Sequence, residues 1–145
     1  MNQIETALSL LAHGFNCSQA VLSAYAGQFG VDDETALKIA SGFGGGMGRM
    51  ADTCGAVTGA FMVLGLKYGQ NSPDREVKEA IYAQVRKFAS RFKTRNRSLV
   101  CCELLGCDIS QSEGLRRATD EKLFSMVCSK FVRDACEISE DMLAE

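Results

Sequence analysis

The residues able to do chemistry here are cysteines: Cys17, Cys54, Cys101, Cys102, Cys107, Cys128 and Cys136, seven in 145. A thiolate attacks disulfides and ligates soft metals, so this excess points to redox work or metal binding. The count is odd, and no Cys-x-x-Cys occurs anywhere in the chain. That argues against a thioredoxin-type motif, a zinc ribbon and a c-type haem site. A structural zinc knuckle is disfavoured too, because it draws its ligands in close pairs.

Spacing restricts which thiols can meet. Cys101 and Cys102 are adjacent, so on a helix they point about 100° apart. Cys128 and Cys136 stand eight residues apart on one predicted helix, about 12 Å along its axis and beyond disulfide reach. A productive cluster must therefore join different helices. Cys17 follows Asn16, Cys54 follows Thr53, and Cys101 lies three residues after Ser98. Each would fall in the first turn of a helix, where free N–H groups and the helix dipole favour negative charge and lower a thiol pKa. The plainer alternative is that these cysteines are small core hydrophobes.

The elements that must position them read as helices throughout. The first spans about Ile4 to Ala12. Asn16 with Gln19 forms a capping box for a second, ending near Gln28. Asp32 or Asp33 caps a third over Thr35 to Ala40. Five glycines between Gly42 and Gly48 exclude a stable helix and predict a flexible or tightly turned loop. A fourth helix runs from near Thr53 to Tyr68. Ser72 as cap and Pro73 at the first position start a fifth, with Val77, Ile81, Val85, Phe88 and Phe92 as its apolar stripe. A short helix covers Leu99 to Leu105, and a last one runs from Asp120 to Leu143. No segment alternates as a strand does. The expectation is one all-α domain over residues 1–145, an orthogonal helical bundle with a Gly-rich loop.

Composition sets the wider limits. Hydrophobic residues are 46% and the net charge is −2, which speaks against disorder and gives no electrostatic case for nucleic acid. The N-terminus lacks the basic start of a signal peptide, and the longest apolar run, Gly55 to Leu66, is too short to span a bilayer. A cytoplasmic protein without membrane insertion is expected.

At this point the chain resembles a known family. Cys54-Gly55-Ala56-Val57-Thr58-Gly59, inside GFGGGMGRMADTCGAVTGAFMVLGL, is similar to the CGAxxG motif of the redox-active C_GCAxxG_C_C proteins. FNCSQAV around Cys17, VCCELLG around Cys101 and VCSKFVRDA around Cys128 match its other hallmarks in order. The resemblance implies a cytoplasmic prokaryotic protein, redox-active through Cys17, Cys54, Cys101 and Cys128. An iron–sulfur cluster has been considered for a related domain of multihaem cytochromes. At the third cysteine, Cys102 competes with Cys101; the Cys-x-Glu-Leu-Leu-Gly pattern favours Cys101. Cys102, Cys107 and Cys136 are then extras.

Gly44, Gly45, Gly46 and Gly55 are the candidate cofactor-binding backbone, since missing side chains allow close approach. His13 has no second histidine to form a metal site or triad and reads as a helix C-terminal residue. Arg86 to Arg97 carry a basic stretch at a helix end, where cations are favoured. Arg49 or Arg97 would hold a nearby thiolate ionised. Met47, Met50 and Met62 read as core filler.

The leading expectation is an oxidoreductase-like protein using thiol–disulfide exchange, with Cys54 attacking. Its counterpart would be a redox partner protein or a small thiol, and a homodimer is admitted. The alternative is an iron–sulfur cluster, of [2Fe–2S] type, on the same four cysteines as metal ligands. A third reading is a helical interaction module framed by Phe15, Phe43, Phe61 and Tyr68.

Overall fold

The computed structural model describes all residues from Met1 to Glu145. It is all-α, as expected. The helices are α1 (Gln3–Ala12), α2 (Cys17–Ala26), α3 (Asp33–Ala40), α4 (Gly55–Tyr68), α5 (Arg75–Asn96), α6 (Cys101–Leu105), α7 (Ser112–Asp120), α8 (Leu123–Met126) and α9 (Cys128–Leu143). The only β pairing is an isolated antiparallel bridge, Thr53 to Val100. No helix is long and apolar enough to cross a membrane.

Helix α4 is the centre. Its Gly, Ala, Val and Leu residues leave no polar face over the first turns, and Gly55 to Ala60, Val63 and Leu64 are buried. A helix apolar all round must be surrounded, and α2, α5 and α9 pack around it. Gly59 permits the closest approach: a Cβ there would lie 2.8 Å from the Ser18 carbonyl oxygen on α2. Gly65 has no such role, for nothing lies within 4 Å of a Cβ placed on it. On the far side of α4, Phe61 meets Phe88 edge-on at 5.8 Å, and Phe88 stacks on Phe92 at 6.0 Å. Within the predicted stripe of α5 only Phe88 and Phe92 are fully buried; Val77, Ile81 and Val85 are half-buried.

The Asn16–Gln19 capping box forms as expected. The Asn16 Oδ1 accepts from the Gln19 amide at 2.8 Å, and Gln19 Oε1 accepts from the Asn16 amide at 3.0 Å. Asn16 also donates to the Ser41 carbonyl at 3.1 Å, tying the start of α2 to the glycine loop.

Three helix boundaries differ from expectation. Asp74, not Ser72, caps α5, because its carboxylate reaches the amides of Glu76 and Val77 at 2.9 and 3.2 Å; Pro73 stays outside the helix. Ser98 is not a helix cap; its hydroxyl accepts from the Val100 amide at 2.9 Å in a local turn. The single last helix is two, α8 and α9. Lys122 adopts a left-handed conformation (φ 57°) that ends one helical segment, and α9 starts afresh at Cys128. Helix α7 lies where no helix was expected, because it is mostly polar and buries only Ala118 fully.

Helix α9 is locked to the end of α5 by polar contacts. Asp134 accepts from Arg95 at 3.2 Å, from Asn96 at 3.1 Å and from Lys130 at 2.7 Å. Burial alone would raise its pKa, but Lys130, Asn96 and Arg95 together hold it below the usual carboxylate value.

Candidate functional site

The four family-type cysteines come from four separate segments. Cys17 opens α2, Cys54 is the residue before α4, Cys101 opens α6 and Cys128 opens α9. All four line one cavity of about 1030 Å³. The helix-start placement expected for three of them extends to Cys128, which sequence reasoning had put inside a longer helix. No sequence signal marks that break: Val127, the residue between α8 and α9, is an ordinary apolar residue at φ −103°, ψ −44°.

The cavity lies at a seam. Cys54 belongs to the large apolar core, Cys101 and Cys128 belong to a smaller one with Ala51, Leu105, Ile109 and Ala118, and Cys17 packs against both. Backbone pairing brings Cys54 to Cys101. The Cys54 amide donates to the Leu99 carbonyl at 2.8 Å, and the Cys101 amide donates to the Asp52 carbonyl at 2.5 Å. Cys17 and Cys128 lie close enough for their thiols to shift each other, Cys17 upward and Cys128 downward.

The glycine loop walls the cavity. It is tightly turned: five consecutive residues, Gly45 to Arg49, have φ between 59° and 68°, and Ala51 has φ 61°. A left-handed turn costs roughly 1–2 kcal/mol per non-glycine residue, and Met47, Arg49 and Ala51 carry that strain here. Long-reaching bonds hold it, such as Ala51 amide to Gly45 carbonyl at 3.0 Å and Asp52 amide to Gly46 carbonyl at 2.9 Å. Gly46 must be glycine: a Cβ would stand 2.7 Å from the Cys101 Cβ and 2.5 Å from the Asp52 nitrogen. Gly44 meets Asn16, and Gly55 meets Cys17 and Ser18, in the same close way. These glycines seat backbone against the cysteine-bearing segments. Gly44, Gly45, Gly46 and Gly55 all border the cavity.

The electrostatics reverse one expectation. A helix start does not lower the Cys54 pKa: burial pushes it up to about 11, although the Ala56 and Val57 amides pull the other way. Burial, with the other thiols nearby, pushes Cys101 to about 12. Cys17 is raised by its interaction with the Cys128 thiol, and then by burial. Desolvation outweighs the dipole because the whole ion is moved out of water, while the helix end offers only partial charges. Cys128 alone is lowered, through its interaction with the Cys17 thiol, which outweighs its burial.

The remaining sequence candidates separate cleanly. Cys101 borders the cavity and Cys102 does not. Cys136 is fully buried in the large core below Tyr25, whose hydroxyl donates to Glu140 at 3.0 Å. Cys102 and Cys107 are half-buried beside the smaller core. His13 caps α1 and its Nδ1 bonds the Ser9 carbonyl at 2.7 Å; it does not reach the cavity. Arg49 borders the cavity, Arg97 does not, and Lys130 and Arg133 join Arg49 there unforeseen. Met50 is 65% exposed rather than core filler. Phe61 and Tyr68 serve internal packing, Tyr68 by donating to the Met142 carbonyl at 2.9 Å, while Phe15 borders the cavity.

The donor set is thiol only, which suits soft-metal or iron–sulfur ligation rather than hard cations. No three His, Cys, Asp or Glu side chains are grouped to hold one metal ion. A mononuclear site therefore does not fit this arrangement. A multi-iron cluster, whose irons take separate sulfurs, is compatible with the donor type.

Fold and site together define an all-α protein with a thiol-lined cavity closed by a strained glycine turn. The chain belongs to the C_GCAxxG_C_C family, described as putative redox-active protein, whose pattern matches residues 15–142. Comparison with curated proteins and with solved structures found no match.

Proposed function

We propose that this protein moves electrons by thiol–disulfide exchange within the cavity, with Cys128 as the attacking thiolate. The observation that carries this reading is that Cys17, Cys54, Cys101 and Cys128 border one space, from four separate segments. Cys128 replaces Cys54 as the attacker because burial keeps the Cys54 thiol protonated at neutral pH.

The step balances without other groups. The Cys128 sulfur attacks one sulfur of a substrate disulfide, a new S–S bond forms, and the second substrate sulfur leaves as a thiolate. Cys17 then loses its proton and attacks Cys128, forming the Cys17–Cys128 disulfide and releasing the other half of the substrate. The two protons given up by the cysteines end on the two released thiols. The substrate is reduced by two electrons and the cysteine pair is oxidised. Cys54 and Cys101, held on either side of the Thr53–Val100 bridge and bordering the same cavity, are a second pair to which the disulfide passes. A reducing, cytoplasmic setting and a redox partner protein or small thiol belong to this reading.

A second reading is favoured by the thiol-only donor set. Cys17, Cys54, Cys101 and Cys128 would hold an iron–sulfur cluster, which supplies one-electron transfer when bound. The glycine turn would exclude water and keep backbone close to the sulfurs.

One purification separates the two. Anaerobic isolation with the visible spectrum recorded, followed by a free-thiol count before and after mild oxidation, is the experiment. Exchange is supported by a colourless protein that loses two or four thiols. A brown protein with iron and sulfide in stoichiometric amounts refutes it in favour of the cluster.

A further inference from the structure

The cavity carries charge selectivity as well as thiols. Among its 27 bordering residues there is no Asp or Glu, yet Arg49, Lys130 and Arg133 are present. This is notable in a chain of net charge −2. Lys130 is paired with Asp134 at 2.7 Å. Arg49 and Arg133 enter no ion pair. Thirteen of the bordering residues are hydrophobic, Leu8, Leu11, Phe15, Ile109 and Phe124 among them. The volume of about 1030 Å³ lies at the upper end of small-molecule pockets, roughly 300–1,000 Å³.

Exposed, unpaired guanidinium groups bordering an apolar cavity attract an anion and repel a cation. Arginine also presents a planar fork that matches a carboxylate or phosphate in two hydrogen bonds. Arg49 is not there by default: it sits at φ 63° on the strained turn, at a position whose backbone disfavours any side chain. Strain of this kind persists where the surroundings enforce it, and it concentrates at binding sites.

We infer that the cavity takes a small anionic molecule with an apolar body, its anionic group held by Arg49 and Arg133 and its body resting against the apolar wall beside the thiols. Resting on the exchange reading, the substrate class is then a low-molecular-weight organic disulfide bearing carboxylates or similar anions. The oxidant for the step above is that disulfide, which leaves as two thiols.

The test uses the full reduced chain and three disulfides: 5,5′-dithiobis(2-nitrobenzoate), with two carboxylates; 2-hydroxyethyl disulfide, neutral; and cystamine, cationic. Oxidation rates are compared between wild type and the double variant R49E/R133E. The rate with the dicarboxylate should fall about tenfold or more, while the neutral disulfide stays within about twofold and cystamine speeds up. Equal losses on all three disulfides, or no loss on the dicarboxylate, overturn the inference. R49K/R133K, which keeps both charges, should keep the selectivity; its loss there also counts against the assignment.

Binding without redox chemistry separates this idea from the exchange reading. 8-Anilinonaphthalene-1-sulfonate, an apolar anion with no reactive sulfur, should bind one per chain and weaken about tenfold or more in R49E/R133E. If that holds while no disulfide oxidises the protein, the exchange reading fails and the anion site stands. Unchanged dye binding in R49E/R133E removes the anion site whatever the thiols do.

Discussion

Thr53 and Val100 form the single β-bridge of this helical protein, and each stands one residue before a site cysteine. The bridge is thus a clasp. It fixes the start of α4 to the start of α6 and sets Cys54 and Cys101 on the same cavity. On the exchange reading, a clasp of backbone bonds lets the thiols change partners without the surrounding chain moving.

On the exchange reading, Cys17 and Cys128, whose thiols shift each other in opposite directions, should be the first pair to oxidise. One equivalent of a mild oxidant should remove two of the seven free thiols, and peptide mapping should recover the Cys17–Cys128 disulfide. In Cys17→Ser the same treatment should stall with Cys128 in a mixed disulfide. Recovery of Cys102–Cys107 as the first product would refute this order.

Thiol reactivity should follow pKa. Cys54 at about 11 and Cys101 at about 12 are almost wholly protonated at pH 7, whereas Cys128 ionises below the ordinary thiol value. Iodoacetamide at pH 7 should modify Cys128 about tenfold or more faster than either, since the attacking species is the thiolate and its larger population outweighs its lower intrinsic nucleophilicity. Mass spectrometry of timed samples reads this directly. Faster labelling of Cys54 would return it to the attacking role.

Alkaline pH should destabilise the fold. Cys54, Cys101 and Cys136 have folded pKa values raised to about 11, 12 and 12, against 9.0 for a free thiol. A raised folded value means the unfolded chain ionises first. The stability contribution is therefore complete below pH 9 and is lost as pH climbs from 9 towards 11 and 12. Between pH 8 and pH 10 each of the three should give up on the order of 1 kcal/mol. Thermal melts under reducing conditions should show Tm falling steadily over that range. A flat profile would mean that these thiols are well solvated.

Gly46 and Gly48 provide a matched pair. Both have positive φ, but a Cβ on Gly48 meets nothing within 4 Å while one on Gly46 strikes Asp52 and Cys101. Gly48→Ala should cost about 1–2 kcal/mol from backbone strain alone. Gly46→Ala adds overpacking of roughly 1–3 kcal/mol and should disturb Cys101 labelling as well. Equal Tm losses in denaturation would show that the loop yields freely at Gly46.

Asp134 is buried among Arg95, Asn96 and Lys130. Asp134→Ala removes these contacts between α5 and α9 while Arg95 keeps Glu137 at 2.7 Å and Lys130 keeps the Asn96 side-chain oxygen, and should cost about 1–2 kcal/mol. Because its folded pKa is lowered, the stabilisation is present above the usual carboxylate pKa and fades as pH falls through the lowered value. Urea titrations at pH 7 and pH 3 should therefore differ more for wild type than for the variant.

What the chain alone decided was whatever depends on near neighbours in sequence. Apolar periodicity made it helical, Asn16 and Gln19 capped α2 as read, and the glycine run turned rather than coiled. Residue type and the Cys54–Gly59 motif carried the chemistry class and the family. Packing decided the rest. It chose Cys101 over Cys102 for the cavity, set Cys17 and Cys128 close enough to shift each other, broke the last helix at Val127, and brought Arg49 and Arg133 to one cavity. Above all it set the protonation of the thiols. A helix start is visible in sequence, but the loss of water around a sulfur depends on every segment that folds over it, and here that loss is the larger effect.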